Sequence, residues 1–279
     1  MFDRIGFMQG RLSSLVDGRI QAFPWRAWKD EFIDAQRLDF QLMEWTLDQD
    51  RLYQNPLMTS DGQVEINTLR DKHHVQIASL TGDCFMQSPF WKYAGEESRV
   101  LQDDFRAIAR ACSSVSINMM VLPLVDNGSL ENRTQENQLI SVLQDNVSLL
   151  KQLKVKVIFE SDFVPSELSR FIDRLDSDYF GINYDIGNSA SLGMDPEEEL
   201  LAYGHRIVNV HIKDRIRGGT TVPLGTGDAD FDTVFAGLGR IGYRGNYILQ
   251  TARASDGEHT AVLSQYRDMA VNWIRRYGA

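Results

Sequence analysis

Positive charge is what this 279-residue chain is short of: 29 Lys and Arg stand against 39 Asp and Glu, a formal net charge of -10. A field of that sign repels phosphate backbones and anionic lipid, which excludes nucleic acid and a membrane surface as bulk partners. Cysteine is scarce as well. Cys84 and Cys112 lack the spacing of a zinc site and are too few for a disulfide scaffold, so they read as small buried hydrophobes in a reducing compartment. The apolar run Met119 to Val125 falls far below the roughly 20 residues of a membrane span, and Gln9 and Arg11 interrupt the N-terminal stretch before a signal-peptide core forms. A cytoplasmic location is the expectation. Three fingerprints are also missing. No Gly-x-Gly-x-x-Gly follows the first apolar run, and neither a Walker lysine nor a Gly-x-Ser-x-Gly elbow occurs, which removes nicotinamide, nucleotide-hydrolysis and serine-hydrolase readings. Gly225-Thr226-Gly227 stands in a late loop and reads as turn chemistry.

What is present is an alternation of short apolar runs with longer stretches of helical period. Eight runs qualify as strands: Arg4 to Met8, Phe40 to Trp45, Val75 to Leu80, Ile117 to Leu122, Val155 to Phe159, Tyr179 to Tyr184, Ile207 to Ile212 and Asn246 to Leu249. Between them apolar residues recur three or four apart, as in Trp28, Phe32, Ala35, Leu38 and again in Leu101, Phe105, Ile108, Cys112 and Leu139, Leu143, Val147, Leu150. Asp195-Pro196-Glu197-Glu198 and Val164-Pro165-Ser166 mark helix starts, and an amphipathic helix carrying Leu263, Tyr266, Ala270 and Ile274 closes the chain. No linker or composition break intervenes. The pattern predicts an α/β fold, a single (β/α)8 TIM barrel over residues 1–279.

Chemistry in such barrels gathers where strands end, so the polar residues that follow each run are the candidates. In order they are Gln9 and Arg11, Glu44, Asp83, Asp126 and Asn127, Glu160, Asp185 and Asn188, His211 and Lys213, and Gln250 and Arg253. Glu160, Asp185, His211 and Gln250 offer two carboxylates, an imidazole and an amide oxygen to one spot, a donor set for one divalent ion: Mn²⁺, Mg²⁺ or Zn²⁺. The competing reading is a metal-free network in which Glu160 and Asp185 bond to Lys213, Arg215 or Arg253. Arg11, Lys213, Arg215, Arg217 and Arg253 cluster after strands 1, 7 and 8, which on an acidic chain points to an anionic ligand, unless they neutralise Asp214, Asp228 and Asp230. Trp25, Phe85, Phe90 and Trp91 could cover a ring at that face, with packing the plainer role.

Ile5 to Leu12, Phe159-Glu160-Ser161-Asp162, Tyr184-Asp185-Ile186-Gly187-Asn188, Val210-His211-Ile212-Lys213-Asp214 and Pro223 to Gly227 followed by Asp230-Phe231 carry a resemblance to a known family. The chain resembles the xylose isomerase-like barrels, which include sugar-phosphate isomerases and epimerases, L-xylulose-5-phosphate 3-epimerases among them. The resemblance implies a metal site from a Glu, an Asp, a His and a Glu after strands 5 to 8. The first three carry over to Glu160, Asp185 and His211; Gln250 stands where the second Glu would. Gln can still coordinate but cannot accept a proton, and a divalent ion against Glu160 and Asp185 is merely neutralised, so weaker metal retention is expected. The resemblance also implies an enediolate route in which Glu160 is the base, and the catalytic expectation falls on Glu160 and Lys213. Gln9, Arg11, Glu44, Asp83, Asn188, Arg215 and Arg253 are expected to bind substrate, a small sugar or sugar phosphate.

One base suffices for aldose–ketose isomerisation, whereas epimerisation ordinarily uses two, so the substitution at 250 favours isomerisation. A second base at Glu44 or Asp83 would restore epimerisation, though for both a hydrogen bond to Arg11 or a backbone amide is the simpler reading. The alternative class is a non-catalytic barrel that binds a sugar or metabolite. A DNA-repair endonuclease of the same superfamily would need a His-rich cluster, whereas only five His are present: His73 and His74 as surface residues, His205 at a helix end, His259 in a polar loop, and His211. Trp273 and Tyr277 on the last helix could form a homodimer face.

Overall fold

Strands buried on both faces need continuous apolar sequence, and the runs that have it pair side by side in parallel. They are β1 (Ile5–Met8), β2 (Leu42–Thr46), β3 (Gln76–Thr81), β4 (Met119–Leu124), β5 (Lys156–Ser161), β6 (Phe180–Asp185), β7 (Ile207–Ile212) and β8 (Asn246–Leu249). The structure, a computed structural model, describes residues 2–279. The strands close into one barrel in the order β1-β8-β7-β6-β5-β4-β3-β2, with Phe7 opposite Leu249 at the closure. Crossover helices surround it: α1 (Asp30–Arg37), α2 (Ser60–His73), α3 (Asp83–Gln87), α4 (Gly95–Ser114), α5 (Arg133–Asp145), α6 (Val147–Leu153), α7 (Pro165–Ile172), α8 (Ile186–Leu192), α9 (Pro196–Tyr203), α10 (Phe231–Arg240) and α11 (His259–Tyr277). This is a (β/α)8 TIM barrel, with one added hairpin pairing Asp214–Arg215 to Thr221–Val222. No helix among the described residues is long and apolar enough to cross a membrane.

The barrel interior has two layers. Met8, Leu42 and Ile248 form a small apolar plug of their own, separate from the main core between barrel and helices. Beside the plug lies a fully buried polar layer of Glu44, Ser79, Asn209 and His211. Two bulges align that layer. Between β2 and β3 the register moves from Met43–Ile77 to Glu44–Ser79, so one extra residue, Ala78, turns Ser79 and Thr81 towards Glu44. Between β6 and β7 it moves from Ile182–Ile207 to Asn183–Asn209, and the extra residue Val208 sets Asp185 directly beside His211.

Several expectations shift in position. β4 and β5 each end two residues later than the apolar runs suggest, so Glu160 lies within β5 rather than after it. His73 is buried at the end of α2 with Nδ1 2.8 Å from Gln36 Oε1, not on the surface, because α2 packs on α1 there; His74 alone is exposed. His259 begins α11 instead of lying in a loop. Trp273 stacks on Phe231 and Phe235 of α10, and Tyr277 donates to Asp232, so both serve the α10–α11 contact within the chain. Asp195 and Pro196 start α9 as read, with Asp195 Oδ1 accepting from Glu197 N.

Candidate metal centre and active site

Asp185, the last residue of β6, caps α8 by accepting from Asn188 N at 2.8 Å, which fixes its carboxylate at the strand end. Across the ladder His211 Nδ1 lies 3.8 Å from Asp185 Oδ2 and 3.3 Å from Glu160 Oε2. One donor atom from each of Glu160, Asp185 and His211 falls within 4.8 Å of the others, and all three residues are buried. The other imidazole nitrogen, Nε2, sits 2.8 Å from Glu44 Oε1 without full hydrogen-bond alignment.

Glu44 is the base of this arrangement. Ser79, Thr81 and Asn209 donate to it, and it is fully buried. Burial alone would raise its pKa; His211 and these hydroxyls overcome that and hold it below the ordinary glutamate value. Glu44, expected to bind substrate, is enclosed by the polar layer, with its carboxylate against His211. Burial would likewise lower His211, and the carboxylates of Glu44, Asp185 and Glu160 reverse this, holding the imidazole well above its usual value. Asp185 is pushed up by burial and pulled down further by Lys213, His211 and the Asn188 N–H, so it stays well below the carboxylate range.

A divalent cation fits this donor set. A ligating His commonly leans its second nitrogen on a carboxylate, as His211 does on Glu44, leaving Nδ1 to face Glu160 and Asp185. Proton and cation would compete for that nitrogen. Gln250 stands one step away: its Oε1 accepts from Lys213 Nζ at 3.2 Å, and the same ammonium is 3.0 Å from Asp185 Oδ2. The fourth arm thus meets the set through Lys213, one bond of the expected metal-free network; Arg253 takes no part in it.

The remaining expected residues divide. Asn188 Nδ2 and Asn183 Nδ2 donate to the two oxygens of Glu160, and Arg215 Nη1 donates to Asn188 Oδ1, so Asn188 and Arg215 hold the carboxylate in place. Gln9 is fully buried, its Oε1 accepting from Thr46 N while Nε2 has no partner among the described residues. Arg11 donates to Ile20 O and Gln21 Oε1, and Arg253 to the carbonyls of Gly10, Ser13 and Ile20, so both fasten the loop after β1. Asp83 accepts from Gln21 Nε2 at 2.6 Å. Asp126 and Asn127 lie in a turn where Asn127 donates to Met86 O, away from the set. Phe85, Phe90 and Trp91 are buried in the core, and only Trp25 is partly exposed.

Four participants escape a reading of strand ends. Asn183 and Asn209 lie inside apolar strands, two residues before Asp185 and His211; that period-2 spacing was the signal. Gln21, from the loop after β1, accepts from Gln250 Nε2 at 2.8 Å and had no signal. Glu31 in α1 accepts from Gly10 N, Leu12 N and Ser13 Oγ.

A parallel barrel with an acid, an acid and a histidine at the carboxyl ends of β5, β6 and β7 defines a TIM barrel of the kind that keeps its chemistry at one rim. The chain belongs to the xylose isomerase-like TIM-barrel family, whose model matches residues 32–276. An L-ribulose-5-phosphate 3-epimerase of Escherichia coli (strain SMS-3-5 / SECEC) is 24% identical over 260 residues, 89% of each chain. Its counterpart in Salmonella paratyphi C is 29% identical over 139 residues, so that match spans about half of the relative, 48% of either chain. A solved structure described as the IOLI protein with a binding zinc atom superposes with a TM-score of 0.75 at 16% identity, covering 98% of this chain and 99% of that one. At that identity the likeness is one of fold.

Proposed function

We propose that the protein is a divalent-metal-dependent isomerase or epimerase of a small phosphorylated or otherwise anionic sugar, working through an enediolate with Glu160 as base. The observation that carries this reading is the convergence of Glu160, Asp185 and His211, with His211 braced from behind by Glu44. Glu160, Asp185 and His211 would hold the cation, with Gln250 as a further oxygen donor. A bound cation supplies Lewis acidity, which makes a C–H beside a sugar carbonyl easier to remove.

The chain's own residues supply the rest. Asn183 and Asn188 fix both oxygens of Glu160, which pre-orients the base that takes the proton. Lys213 spends two N–H groups on Asp185 and Gln250, leaving a third for a sugar oxygen that gains negative charge. Arg11, Arg215, Arg217 and Arg253 make no ion pair among the described residues. Asp214 and Asp230 are satisfied instead by N–H groups of Gly225, Gly227, Ala229 and Thr233, which leaves Arg215 and Arg217 without an ion pair near the rim of an acidic chain, whereas Arg11 and Arg253 lie in the field of Glu31. That supports an anionic substituent on the sugar. The names of the epimerase relatives and the zinc in the fold neighbour point the same way.

The test is solvent deuterium exchange with L-ribulose 5-phosphate and added Mn²⁺ in D₂O. Wild-type protein is expected to place deuterium on the carbon flanking the carbonyl, and Glu160→Gln to lower the rate by roughly 10²–10⁴-fold. Protection of the protein by the sugar without exchange would instead identify a binding barrel.

A further inference from the structure

A buried carboxyl is costly unless donors surround it, and most of those in this barrel are well served. Glu31 accepts from two backbone N–H groups and a hydroxyl, Glu199 from the hydroxyls of Tyr184, Tyr203 and Ser189, and Glu44 from two hydroxyls and an amide. Asp83 is different. It is 6% exposed, makes no ion pair among the described residues, and accepts one hydrogen bond, from Gln21 Nε2.

Its place in the barrel gives the exception a meaning. Asp83 follows β3, and β3 lies diametrically across the strand order from β7, which carries His211. A ligand resting on Glu160, Asp185 and His211 would have Asp83 on a different wall, across the barrel from His211 and two strands round from Glu160. Gln21 ties Asp83 to Gln250: its Nε2 donates to Asp83 and its Oε1 accepts from Gln250. The carboxyl absent at 250 therefore stands one amide further along the same chain of hydrogen bonds. Burial pushes Asp83 up to about 7, helped by Asp48 and Glu160 and opposed by the Gln21 hydrogen bond and Arg11, so it keeps a proton to give near neutral pH.

The geometry points to Asp83 as the second proton-transfer group, delivering a proton from the β3 wall to the sugar carbon that Glu160 deprotonates from the β5 wall, and making the reaction an epimerisation. The assignment rests on the proton-transfer function proposed above. Glu160 takes the proton from the carbon beside the carbonyl, and the C–H electron pair passes into the enediolate. The Asp83 O–H then breaks and its proton forms the new C–H bond on the same carbon from the other side. Glu160 is left protonated and Asp83 ionised, and proton exchange with water restores both. Glu44 cannot fill this role, enclosed as it is behind His211.

The test follows inversion and exchange separately, by NMR in D₂O, for wild-type protein, Asp83→Asn and Gln21→Ala with L-ribulose 5-phosphate and Mn²⁺. Asp83→Asn is expected to lose inversion by about 100-fold or more while Glu160 still exchanges deuterium into unconverted sugar. Gln21→Ala, which removes the hydrogen bonds to Asp83, Gln250 and Arg11 but leaves the Asp83 carboxyl in place, is expected to keep inverting, more slowly than wild-type protein. Unimpaired inversion in Asp83→Asn overturns the assignment, as does an equal loss of inversion and exchange, which marks a structural role. Wild-type protein that exchanges nothing overturns the proton-transfer function itself, a result distinct from either.

Discussion

Gln250 carries the largest single change in local charge. With Glu160 and Asp185 as the two carboxylates of the set, a neutral amide beside them leaves a divalent ion merely neutralised. Gln250→Glu is therefore expected to tighten Mn²⁺ binding by about tenfold or more, measured by equilibrium titration, since affinity follows the count of charged oxygen ligands. Glu160, Asp185 and His211 were legible in the sequence because each interrupts or ends an apolar run. Asn183 and Asn209 carry no such mark, although their side chains fix Glu160 and bridge to Glu44, because they stand inside strands. Glu44 was legible as a candidate but not in its role. Only the bulge at Ala78, which brings Ser79 and Thr81 onto it, reveals that the side chain is held by hydroxyls within the barrel.

The loop between β1 and α1 matters most among the elements, because it carries Gln21 across the mouth to Gln250 and Asp83. Glu31 of α1 gathers its first turn, and Arg253 holds three of its carbonyls from the far side of the barrel closure. Burial pushes Glu31 up to about 7 against the opposing N–H and hydroxyl bonds. The folded chain thus keeps this proton to higher pH than the unfolded chain does. The stability it contributes is fully present below the ordinary carboxylate range and is lost as pH rises through about 7. Glu31→Gln cannot ionise, so urea unfolding should show wild-type protein losing ground against the variant as pH rises over that interval. Strand order and helix count were readable from alternation and period, and β7 and β8 fall where their apolar runs do. This loop was not readable, because its contacts are long-range pairs whose partners share no periodicity with it.

Across the whole molecule, a net charge of -10 coexists with Arg215 and Arg217 near one rim, neither of which makes an ion pair among the described residues. The barrel closes a ring of eight strands so that β5, β6 and β7 deliver their side chains to one point, and that convergence is the claim on which the function depends. Mn²⁺ titration followed by electron paramagnetic resonance tests it most directly. One Mn²⁺ per chain is expected for wild-type protein, with binding at least about tenfold weaker in Asp185→Asn, which keeps the side chain's shape and its cap on α8 but removes the charge. Wild-type protein that binds no stoichiometric ion, or an Asp185→Asn variant that binds it as tightly, would contradict the account.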